Sequence, residues 1–119
     1  MKKLLLASTL TVLTLTSSVY TPKAEANNIA QSVCEYVAAD DKKRMRTFLK
    51  TNKLKIRKIF KSIQCNGQNL LEFASSRGSN ETGTLIIGKL PKKVVSENLA
   101  LIQSGSQPLI EAANARVSS

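Results

Sequence analysis

Val33-Cys34-Glu35-Tyr36-Val37-Ala38 and Leu70-Leu71-Glu72-Phe73-Ala74-Ser75 are two versions of one pattern, 37 residues apart. Each sets a Glu and an aromatic ring among apolar residues spaced three and four apart. That spacing gathers Val33, Tyr36 and Val37, and again Leu70, Phe73 and Ala74, on one side of a helix. The same shift places Phe48-Leu49 on Leu85-Ile86 and Asp41 on Gly78. Both copies therefore predict a short helix, a tight polar turn and a second helix. In the first copy Asp40-Asp41 breaks the pattern and can cap the next helix, where Met45, Phe48 and Leu49 recur at helical spacing. In the second copy Arg77-Gly78-Ser79-Asn80 is the turn. The helix carrying Leu85 and Ile86 should end near Gly88, before Pro91.

Outward from these copies the helical period continues. Ile56, Ile59, Phe60 and Ile63 stand at i, i+3, i+4 and i+7, an amphipathic helix over 54–63. Leu54-Lys55-Ile56-Arg57 also alternates and admits an extended chain. Residues 94–102 repeat the helical tendency, with Leu99 and Ile102 one turn apart. A partial third copy, Gly105 to Ala113, parallels Gly67 to Ser75 at a shift of 38. Alternating β-branched runs are few, and neither strands nor hairpins are expected. The expected fold is all-α: five to seven short helices stacked as repeat units at about 30–52, 67–90 and, in part, 105–119.

Gly67-x-Asn69-Leu70-Leu71-x-x-Ala74-x-x-x-Gly78-x-x-Glu81 resembles the ankyrin repeat, as does Gly105-x-Gln107-Pro108-Leu109-x-x-Ala112-Ala113. The spacing of 37–38 exceeds the ankyrin period of about 33, the ankyrin His is missing, and the third copy is truncated. The resemblance implies degenerate ankyrin-like helix pairs and a non-catalytic module that binds an unidentified protein through a concave surface. Cys34-x-x-x-Ala38-x-Asp40-Asp41-Lys42, followed by Cys65-Asn66-Gly67-Gln68-x-Leu70-Leu71, is also similar to a family of small exported bacterial proteins of unknown function. That likeness implies no activity.

The first residues have the three parts of a secretory signal peptide. Met1-Lys2-Lys3 is basic, residues 4–15 form an uncharged apolar run diluted only by Ser and Thr, and Ala24-Glu25-Ala26 offers small residues for cleavage. The apolar run is short of the ~20 residues a membrane-spanning helix needs, so an uncleaved anchor is the weaker alternative. Cleavage after Ala26 leaves one small helical domain, 27–119, with no transmembrane segment, in the periplasm or secreted. It removes Lys2, Lys3, Lys23 and Glu25 from 18 basic and 8 acidic residues, leaving 15 and 7, a net +8.

Export bears on the cysteines. Cys34 and Cys65 are the only two, and an oxidising compartment favours joining them; two buried free thiols are the alternative. A bridge would close a loop of about 32 residues, worth about 3–4 kcal/mol in the chain-entropy model. Two Cys and no His argue against a metal site, and the spacing against a redox motif.

Ten Lys and Arg fall between Lys42 and Lys61, with no acid among them. Lys43, Arg46 and Lys50 point away from Met45, Phe48 and Leu49; Arg57, Lys58 and Lys61 point away from Ile56, Phe60 and Ile63. Those six are the candidate polyanion-binding residues, for a lipid headgroup, an acidic polysaccharide or another anionic envelope component. The plainer alternative is a solvated helix face. Nucleic acid is disfavoured, because Tyr36, Phe48, Phe60 and Phe73 all occupy expected core positions.

No catalytic residues and no cofactor are expected. Glu35 and Glu72 occupy equivalent positions, but nothing else marks them as a facing pair. Ser75, Ser76 and Ser104 lack a His partner, and Gly67-Gln68-Asn69 lacks the pattern of a phosphate loop.

Overall fold

The computed structural model describes residues 22–119, with side chains from Asn28 onward. Among the described residues seven α-helices follow one another: α1 Pro22–Ala38, α2 Lys42–Thr51, α3 Ile56–Ile59, α4 Leu70–Arg77, α5 Asn80–Lys89, α6 Lys92–Asn98 and α7 Gln107–Ser118. Single 3-10 turns at Phe60–Ser62 and Ala100–Ile102 extend α3 and follow α6. No β-strand is present among the described residues, so the fold is all-α. The expected signal peptide at 1–26 falls mostly outside the described residues. Helix α1 begins at Pro22 and runs through the expected cut after Ala26.

The two related segments fold as two helix pairs, α1–α2 and α4–α5, and like packs on like: α1 contacts α4 and α2 contacts α5. Val33 and Val37 of α1, Met45 and Leu49 of α2, Leu70, Leu71 and Ala74 of α4, and Ile86 of α5 are buried in one core. Helix α7 closes the far side of α5 through Leu109, Ile110 and Ala113.

The turns of the two pairs have the same hydrogen bonds. Asp41 N–H donates to Tyr36 O (2.8 Å) and Asp40 N–H to Val37 O (2.9 Å). Ser79 N–H donates to Ala74 O (2.8 Å) and Gly78 N–H to Ser75 O (3.2 Å). Each helix thus ends on a left-handed residue, Asp40 at φ 55° or Gly78 at φ 70°, whose following amide reaches back five residues. The matching bonds lie 38 residues apart, so the turns correct the sequence register of 37 by one.

The turns also cap each other. Asp40 does not cap its own α2; Asp41 does that, accepting from Arg44 N–H at 3.1 Å. The Asp40 carboxylate instead reaches α5, whose own Ser79 makes no side-chain cap. It accepts from Thr82 N–H (2.8 Å), Thr82 Oγ1 (3.0 Å) and Glu81 N–H (3.2 Å). In return the buried Ser79 hydroxyl donates to Val37 O at the end of α1, at 2.6 Å. A carboxylate at the start of α5 also faces the positive end of its dipole.

Cys34 of α1 is disulfide-bonded to Cys65 just before α4, with Cα atoms 5.7 Å apart, which excludes the free-thiol alternative. Cys65 and Gln68 exchange both backbone hydrogen bonds (2.7 and 3.0 Å) around Asn66-Gly67, both at positive φ. This is a two-residue turn of the kind Asn-Gly favours. It corrects the expectation that no hairpin turn occurs, although no strand extends from it. Asn69 then caps α4, accepting from Glu72 N–H at 2.8 Å.

Residues 54–63 are only partly helical. Lys55 is extended, α3 is a single turn, and the 3-10 turn follows. The alternating and the helical readings each hold for part of the segment.

Asp40→Ala removes three acceptor contacts and leaves a β-carbon residue at positive φ without its local compensation. Its urea midpoint should fall by the equivalent of about 2 kcal/mol with an unchanged slope, and Asp40→Asn by less. An Asp40→Ala midpoint equal to that of the unmodified protein would contradict the cross-capping.

Candidate anion-binding cleft

Helix α2 sorts its residues by period. Met45 and Leu49 face the core, whereas Lys43, Arg46 and Lys50 are exposed. The helix stops at Lys53, a left-handed residue at φ 55°, and Leu54 N–H returns to Leu49 O at 2.8 Å. That reversal sends the extended Lys55 back across the end of α2 and inserts Ile56 into the core at the start of α3. Arg57, Lys58 and Lys61 remain exposed, while Phe60 and Ile63 are buried. Helix α5 packs against both α2 and α3, bringing its last turn, with Lys89, beside them.

A cleft of about 680 Å³ opens where these three helices meet. Its charged lining is Arg46, Lys50, Lys55, Arg57 and Lys89. The rest of its lining is Leu49, Leu54, Ile56, Leu85 and Gly88, so it contains cations and apolar groups and no carboxylate. Two ion pairs lie within the basic stretch, Arg44–Asp41 at 3.5 Å and Lys42–Glu81 at 3.9 Å. Among the described residues, no cation lining the cleft pairs with an acid. Lys50 and Lys89 occupy the last turns of α2 and α5, where the helix dipole favours positive charge and offsets part of the repulsion.

The six candidate residues from the sequence separate here. Arg46, Lys50 and Arg57 converge on the cleft. Lys43 lines a shallower depression with Tyr36 and Phe48, whose rings lie 5.5 Å apart. Lys58 and Lys61 are exposed but line neither. Lys55 and Lys89 were missed. Lys55 belongs to the basic run but sits between the helical stripes. Lys89 lies far along the chain, and only the packing of α5 against α2 and α3 brings it in. Among the described residues, no group of three or more Cys, Asp or Glu is placed to hold a metal ion.

The fold and the cleft define a small, disulfide-clipped, all-helical protein with a basic concavity. Residues 33–97, more than half of the chain, match the model of a family described as Protein of unknown function (DUF3718), and the chain belongs to that family. The matched stretch contains both cysteines, both cross-capping residues and the entire cleft lining. No curated protein and no solved structure matches the chain.

Repulsion among the cleft cations makes a testable demand on stability. Arg46→Gln combined with Lys55→Gln should raise the thermal midpoint by about 2–4 °C at low salt, with the gain disappearing in molar salt. A midpoint unchanged at low salt would show that the cations do not sense one another.

Proposed function

We propose that the protein is an exported binding module, not an enzyme, whose ligand is an anionic envelope component. Residues 1–26 act as a cleaved signal peptide, and the domain at 27–119 works in the periplasm or outside the cell. A disulfide suits that compartment. None of the described helices is long and apolar enough to cross a membrane. The helix pairs are taken as degenerate ankyrin-like units, supported by the like-on-like contacts and the matching turns.

The observation that carries the functional reading is the convergence of five cations from α2, α3, α5 and the link before α3 on one carboxylate-free cleft. Low-dielectric walls around charges of one sign concentrate an opposite charge. No aromatic ring lines the cleft, so stacked bases would find no platform there. A protein partner is the second reading. It is favoured by the half-buried Tyr36–Phe48 pair, which is flanked by Lys43 and Arg44. Aromatic rings and Arg are enriched at protein interfaces.

The test is binding of the mature protein to an immobilised acidic polysaccharide and to anionic vesicles. Affinity should fall at least tenfold between about 50 and about 300 mM salt. Replacing Lys50, Arg57 and Lys89 by Gln should cost a similar factor at low salt. No detectable binding, or binding indifferent to salt and to these three changes, would contradict the anionic-ligand function.

A further inference from the structure

We infer that the cleft takes an amphiphilic anion, the head and upper chain of an anionic phospholipid presented at a membrane surface; this rests on the anion-binding function proposed above. A bare polyanion would use only the cations. This cleft combines five of them with the half-buried Leu54 and the edges of the buried Leu49, Ile56 and Leu85. Leu54 is half-buried, so it keeps apolar surface beside the exposed Lys55. At about 680 Å³ the space is within the usual range for a small-molecule site. It accommodates a phosphate head and the first methylenes of a chain, while the remaining hydrocarbon stays in the bilayer.

Gly88 supplies an independent observation. It is the last residue but one of α5, and glycine is among the least favourable helix residues. A β-carbon added there would meet nothing within 4 Å, and its φ is not in the left-handed region. Neither a close contact nor a left-handed φ requires the glycine. What the missing side chain does is leave one wall of the cleft open. Each methylene buried against such a lining raises affinity about fourfold, so a lipid anion gains over a head group alone.

Gly88→Leu narrows the cleft without changing charge and favours the helix. The probes are phosphatidylglycerol vesicles, phosphatidylcholine vesicles as the uncharged comparison, and inorganic polyphosphate as a head-only anion. The unmodified protein should bind phosphatidylglycerol at least tenfold more tightly than phosphatidylcholine. Gly88→Leu should lose at least tenfold on phosphatidylglycerol and change less than twofold on polyphosphate. Leu54→Gln, an isolated change at a half-buried side chain, should lose about fourfold on the vesicles alone and carries the test if Gly88→Leu does not fold. Vesicle binding unaltered in the folded variants, or equal losses on vesicles and polyphosphate, would overturn the lipid assignment and leave the broader anion function standing. Failure of the unmodified protein to bind either anionic probe would remove both.

Discussion

The structure depends on an exchange of caps between two helix turns. Every helix leaves unpaired amides at its start and carbonyls at its end. Here the end of α1 and the start of α5 satisfy each other, through the Ser79 hydroxyl in one direction and the Asp40 carboxylate in the other. Both groups project from a tight turn closed by the same backbone bonds, so their positions leave little freedom. Helix order is thereby fixed across 42 residues of chain. Lys42–Glu81 lies at the same junction but is largely solvated and adds little.

From that junction the rest follows by short steps. Locking α5 beside α1 sets it against α2, and the Lys53 reversal then lays Lys55 and α3 along the end of α2. The last turn of α5 is carried into the same place, which brings Lys89 into the basic cleft. The disulfide acts about a turn earlier, tying Cys34 of α1 to the Asn66-Gly67 turn that leads into α4. One covalent clip and one polar junction hold the same two helix pairs at separate points. This matters in a domain whose core is small.

Local features of this fold were legible in the sequence. Apolar spacing gave the helices, Pro91 and Gly78 gave two of their ends, and the expectation of an oxidising compartment pointed to the cysteine pair. What spacing does not carry is which element satisfies which. Asp40 and Asp41 look interchangeable as caps, yet one turns inward to its own helix and the other across to α5, because only Asp40 occupies the left-handed position. Asn66-Gly67 is itself a turn signal that the expectation of no hairpin overlooked, and the turn forms without flanking strands. The basic stripe was visible as a run of charge. Its division into cleft, depression and open face was not, since that depends on where Lys53 reverses the chain and where α5 ends.

The central claim is that cations distant in sequence form a single anion site. Amide chemical shifts of isotope-labelled residues 27–119, followed while inorganic polyphosphate is added, test it most directly. Arg46, Lys50, Lys55, Arg57 and Lys89 should move together and fit one dissociation constant. Shifts spread evenly over the exposed lysines, or confined to α2 and α3 with Lys89 unmoved, would contradict it.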